Sequence, residues 1–256
     1  MAPTGQSGFR LAKRLASQLG CSRADAERYI AGGWVRVDGV VVEEPMERVR
    51  DDQVVTLDAH AKPESLAPVT LLWHKPQGEG LPEAPWLPDE TASRWFDNEW
   101  RFKGDRSGLR PLKAHRHKLL TTAPLGELSS GLMVFTQNPG VARKLGDDAD
   151  PLEHEWLAEV ADDPALDEVA RREAVIQSLG RPLFFDGWAV PSARASWQSE
   201  RRLRLAIKGN RPGQVAHLCE RAGLQLTGLR RQRLGRIALA GLPVGQWRYL
   251  LGYERF

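Results

Sequence analysis

The apolar positions at the N-terminal end recur with a helical period. Leu11, Leu15 and Leu19 stand at i, i+4 and i+8, and Gly20 closes the run, which predicts a short amphipathic helix. A second helix begins at once. Ser22 with Asp25 three residues on has the form of a capping box, in which a hydroxyl and a carboxylate satisfy free amide donors, and Ala26, Tyr29 and Ile30 supply its buried face. Beyond Gly32-Gly33 the period changes to two. Trp34 to Val42 reads as two strands around an Asp38-Gly39 turn, and Val54, Val55 and Leu57 make a closing strand. Residues 59–68 carry Lys62, Pro63, Glu64, Ser65 and Pro68 without an apolar period, which predicts a linker.

The remainder predicts many strands and few helices. Val69 to Trp73 is a strand ended by the His74-Lys75-Pro76-Gln77-Gly78 turn. The proline-rich stretch 79–118 offers a helix only around Thr91 to Phe96. After Leu119-Leu120, the segment Ala123 to Gly131 leads into a strand, Leu132 to Thr136, and Asn138-Pro139 opens a short helix ending at Leu145. Further strands are expected at Leu157–Val160, Leu203–Ile207, Leu229–Leu239 and Pro243–Leu250, with helices at Asp167–Leu179 and from Gly213 through Cys219. This alternation predicts an α+β fold with a mixed, largely antiparallel sheet. The expected organisation is a tail (1–9), a small domain (10–58), a linker (59–68) and a larger domain (69–256).

Composition narrows the class. With 256 residues, 41% apolar and 27% charged, the chain is neither disordered nor collagen-like. Cys21 and Cys219 cannot form a disulfide framework, and His115, His117, His154 and His217 match no recurrent ligand spacing, so no metal site is expected. No leader or long apolar run is evident, and a cytoplasmic monomer away from membranes is expected. Lysine plus arginine against aspartate plus glutamate runs 8 to 9 over residues 1–58, 15 to 21 over 59–193 and 13 to 3 over 194–256. The basic last quarter, with Arg230, Arg231, Arg233 and Arg236, favours a polyanionic partner. At the other end, Arg10, Lys13, Arg14, Arg23, Arg28 and Arg36 fall on the two helices and the first strand, where they would release counterions from a phosphate backbone without reading bases.

Arg10-Leu11, the run Gly20 to Glu27, Ile30 and the run Val35 to Gly39 together resemble the small alpha-L RNA-binding domain, the type named after ribosomal protein S-four. Other elements resemble the rRNA pseudouridine synthases of the RsuA and RluB/RluE/RluF group. These are Lys75-Pro76-x-Gly78, Ser129-x-Gly131-Leu132, Thr136-Gln137-Asn138, Glu153-x-Glu155, Arg233-Leu234-Gly235 and Gly245-Gln246-Trp247-Arg248. The resemblance implies structured RNA, above all rRNA or a ribosome assembly intermediate, as partner. It also implies a catalytic domain that isomerises uridine to pseudouridine with no cofactor.

The departures bear on mechanism. The resemblance sets the family's Gly-Arg-Leu-Asp, whose Asp is the nucleophile, on Ala123-Pro124-Leu125-Gly126 without a gap, so that Gly126 takes the place of the attacking carboxylate, or on Gly126-Glu127-Leu128-Ser129 with a gap of three, which also lacks the Asp. Glu-Lys-x-Tyr becomes Glu153-His154-Glu155-Trp156, and the arginine-rich helix start becomes Pro212 to Leu218, with Gly213 replacing the first arginine. Leu125, His154, Trp156 and Gly213 are therefore expected around a base pocket. The leading expectation is a pseudoenzyme that keeps the fold and RNA affinity with lost or weakened catalysis. Two alternatives remain open: an active synthase with a relocated carboxylate, Glu127 or Asp105, and a ribosome-assembly or RNA-chaperone factor.

Overall fold

A computed structural model describes residues 8–146, 152–164, 168–185, 187–209 and 211–256. The chain divides into two compact units, one of residues up to 68 joined by 110–117, the other of residues 69–109 and 118–256.

In the first unit the helices Leu11–Leu19 and Arg23–Ala31 cover a three-stranded antiparallel sheet of Val35–Val37, Val40–Val42 and Val55–Leu57. Ser22 caps the second helix, its Oγ accepting from the Asp25 amide at 3.0 Å. Asp38 and Gly39 both have positive φ (51° and 82°), as a two-residue hairpin turn with matching twist requires. The core holds Leu11, Leu15, Ala26, Ile30, Val35 and Val55. Leu19, expected on the apolar stripe, is exposed and stands outside this core. Residues 110–117 belong to this unit through contacts that spacing alone does not reveal. The Arg110 guanidinium lies 4.0 Å over the Trp34 ring and donates to the Gly33 carbonyl, and the Lys113 amide donates to Glu43 at 2.6 Å.

The second unit is built on a nine-stranded sheet. Its path runs Arg194–Ser199, Arg202–Lys208, Glu153–Val160, Leu226–Leu234, Ser129–Thr136, Thr70–Lys75 and Trp247–Tyr249, with Ile237–Ala238 and Leu120–Thr122 paired at its side. All pairs are antiparallel except Ser129–Thr136 with Leu226–Leu234. The expected mixed, largely antiparallel α+β architecture is thus present. The strand expected from Leu157 starts at Glu153, and its alternating burial puts His154, Trp156 and Ala158 inside. The helix expected at Thr91–Phe96 spans Asp89–Trp95, while the start expected for the next long helix, Asp167, lies outside the described residues, the helix itself running Val169–Leu179. A hairpin not anticipated from sequence pairs Leu183–Phe185 with Trp188–Val190.

Candidate functional site

The segment carrying Gly126 is fastened by Lys75. This side chain is fully buried, and its Nζ donates to the carbonyls of Pro76 (3.0 Å), Glu127 (3.2 Å) and Ser129 (2.8 Å). The Gly78 amide also donates to the Glu127 carbonyl, at 2.9 Å. The Lys75-Pro76-x-Gly78 turn therefore holds residues 127–129 by main-chain oxygens. Burial lowers the lysine pKa, with Glu79 and Glu127 pulling the other way.

Behind this segment the parallel strand pair sets Gly131 beside Arg231. Gly131 has φ +110°, and a Cβ there would stand 2.3 Å from the Arg231 carbonyl oxygen, so only glycine allows the close approach. Arg231 also pairs across the strands with Trp156, and a bulge at the next residue then moves Arg233 opposite Glu155. The bulge separates arginines that a strict alternation would place together. Arg231 points inward, fully buried, donating to the Leu132 and Ala123 carbonyls at 2.8 and 2.6 Å. Arg233 pairs with Glu153 (2.7 Å) and Glu155 (3.3 Å); its hydrogen bond lowers the Glu153 pKa, while that of Glu155 is lowered first by Arg204 and then by Arg233. The expectation that Arg231 contacts RNA is corrected, since a side chain with no surface cannot meet a phosphate, and Arg233 is engaged by carboxylates; Arg230 is half-buried.

A cavity of about 280 Å³ opens beside these strands, and its lining includes Leu125, Gly126, Glu127, His154, Trp156 and Gly213. Leu125, His154, Trp156 and Gly213 thus lie around one cavity with Gly126 and Glu127. Asp105 is not among the lining residues. Burial raises its pKa, but hydrogen bonds from the Ser107 amide, Arg101 and the Tyr249 amide outweigh this, so the carboxylate is a buried tie between segments and is removed as a candidate nucleophile. Glu127 remains as the one carboxylate among the described lining residues, and its side chain is exposed.

Gly126 is exposed, and nothing lies within 4 Å of where its Cβ would be. Its φ lies outside the left-handed region, so a side chain there meets neither steric nor backbone opposition. Gly213 differs, because its φ of +80° would strain any replacement. Deeper in, both ring nitrogens of His154 and the Nε1 of Trp156 are buried without a hydrogen-bond partner. Burial, helped by the nearby Arg231 and Arg233 charges, drives the His154 pKa down to about 3, so the imidazole is neutral at pH 7. His154 and Trp156 thus give the cavity an uncharged, aromatic wall.

On the first unit, Arg10, Lys13 and Arg36 are exposed. Arg23 and Arg28, also exposed, make helical ion pairs with Glu27 and Asp25. Arg14 is otherwise employed, since its guanidinium donates to the carbonyls of Arg50, Asp51 and Gln53 and ties the loop before the closing strand. Its expected role at a phosphate is corrected to a structural one. Among the described residues no group of three or more His, Cys, Asp or Glu could hold a metal, and no helix is long and apolar enough to cross a membrane.

A helical pair on a small sheet comes first in the chain, and a larger sheet with a cavity at its parallel strand junction follows. Residues 9–55 match the S4 domain. The dual-specificity RNA pseudouridine synthase RluF of Salmonella typhi is 24% identical over 246 residues, covering 96% of this chain and 76% of its own length. The ribosomal small subunit pseudouridine synthase A of Salmonella typhimurium is 26% identical over 247 residues, covering 96% and 98%. A pseudouridylate synthase crystal structure shares the fold, with a TM-score of 0.51 at 20% identity over 94% of this chain and 96% of that one. Over nearly its whole length the chain is thus similar to rRNA pseudouridine synthases, with a match to the S4 domain at its N-terminal end.

Proposed function

We propose that the chain binds structured RNA, ribosomal RNA in particular, and receives an unpaired uridine in the cavity between Gly126 and Trp156 without isomerising it. One feature supports the reading: Gly126, which the motif resemblance puts in the place of the family's nucleophile, lines the cavity and bears no side chain. In other enzymes, loss of a covalent nucleophile costs on the order of 10⁴–10⁶ in turnover. Arg10, Lys13 and Arg36 supply exposed cations for the backbone, with Arg23 and Arg28 able to exchange an exposed carboxylate for a phosphate.

The test is carbodiimide modification of rRNA followed by reverse-transcription stops, comparing a deletion strain with one that expresses the protein. No protein-dependent pseudouridine is expected. A mark that appears only with the protein would overturn the inactive reading. A second reading, an active synthase that uses Glu127, is supported by the place of this carboxylate in the cavity lining. Under it, the mark is present and disappears in Glu127→Gln.

A further inference from the structure

The hairpin Leu183–Phe185/Trp188–Val190 stands against the helix Gln214–Arg221. Phe185 and Trp188 are cross-strand partners and share one face. Phe185 anchors that face, its ring centroid 5.1 Å from that of His217 and its Cζ 3.5 Å from where a Gly213 Cβ would be. Trp188 is left 56% exposed, and the Arg211 guanidinium sits 3.9 Å over its ring. A cleft of about 170 Å³ lies here, lined by Trp188, Lys208, Arg211 and Gln214 among others, with two cations and no carboxylate among its described lining residues. Gln214, itself buried, holds the turn between the cations, accepting from the Arg211 amide at 3.3 Å and donating to the Lys208 carbonyl at 3.2 Å.

This cleft adjoins the base cavity, because Gly209, Arg211 and Gln214 line both. We propose that it is a second nucleotide subsite, in which an unpaired base flanking the one held at Trp156 stacks on the Trp188–Arg211 pair while Lys208 and Arg211 meet the adjoining backbone phosphates. The inference rests on the RNA-binding reading above and extends it. An exposed indole flanked by cations matches the stacking platforms of single-strand binders, where a π face accepts any base and the cations follow the backbone. The subsite should therefore require an unpaired base without selecting its identity.

The experiment uses the full chain and a stem-loop RNA with an unpaired uridine in the loop, intact or with the 5′ or 3′ neighbour made abasic, and reads affinity by filter binding. Trp188→Ala should weaken binding of the intact RNA about ten-fold, on the scale of one lost base stack. It should have little effect on the RNA whose missing base is the stacked one. Trp188→Phe should retain most of the affinity, and Lys208→Ala should lower the salt dependence by about one unit of slope. Wild-type affinity in Trp188→Ala, or an equal loss on both abasic RNAs and the intact one, would overturn the subsite alone. If the wild-type chain binds none of these RNAs, the RNA-binding reading fails and takes the subsite with it.

Discussion

The guanidinium of Arg231 lies 5.5 Å from the centre of the Trp156 ring, its direct partner across two antiparallel strands. The described surroundings of this fully buried cation are the Leu132 and Ala123 carbonyls, the Met133 sulfur and an indole face, with Nη1 left without a partner. Burial lowers its pKa to about 9, and it stays charged at neutral pH. A positive group kept inside the sheet behind the Gly126 segment gives Trp156 two functions, as packing for the cation and as a wall of the cavity.

Both functions depend on the ring. Trp156→Ala should cost about 3–5 kcal/mol by removing a large buried side chain, whereas Trp156→Phe keeps an aromatic face and removes an unpartnered N–H, limiting the loss to roughly 1–2 kcal/mol. Urea denaturation of both variants checks this, and equal losses would show that the aromatic contact with Arg231 contributes nothing.

Two glycines five residues apart should respond oppositely. Gly131→Ala places a Cβ 2.3 Å from the Arg231 carbonyl oxygen at φ +110° and should destabilise by more than about 3 kcal/mol. Gly126→Asp meets nothing within 4 Å and should fold with a change within about 1 kcal/mol. Thermal melts of the two variants separate these outcomes. Gly213→Arg, needed to rebuild the family's arginine-rich helix start, should cost stability through its backbone at φ +80°.

His154 makes stability pH-dependent. Its folded pKa, about 3, lies below the ordinary 6.5, so the unfolded chain binds the proton more readily. Its contribution is fully present above about pH 6.5 and is lost as pH falls towards 3, at up to about 1.4 kcal/mol per unit. His154→Leu should flatten the dependence of unfolding free energy between pH 6 and 4 relative to wild type. An unchanged slope would mean that the imidazole is solvated.

For RNA affinity, Arg10→Ala with Lys13→Ala should lower the salt slope by about 1–2 units and weaken binding similarly across sequences. Arg14→Ala should instead lower the melting temperature, because three loop carbonyls lose their donor. A reversal of these effects would move the phosphate contacts onto Arg14.

What the sequence determined about this protein is local in origin. Ser22 before Asp25 and Asp38-Gly39 between valine runs each follow from a rule acting over a few residues, and the structure has the cap and the turn. The motif resemblance likewise singled out Leu125, Gly126, His154, Trp156 and Gly213, and all five line one cavity. The hairpin at 183–190 left a signal too, in apolar and aromatic runs on either side of Asp186-Gly187. What only the tertiary structure decided depends on neighbours distant in the chain. A single bulge sent Arg231 inside and Arg233 to the glutamates, although sequence shows one basic run. Asp105 became a buried tie because Arg101, Ser107 and Tyr249 converge on it, and Arg14 was taken up by a loop nearly forty residues away. A charged side chain has the same composition whether it faces a phosphate, a carboxylate or a carbonyl, and the sheet register chooses among them.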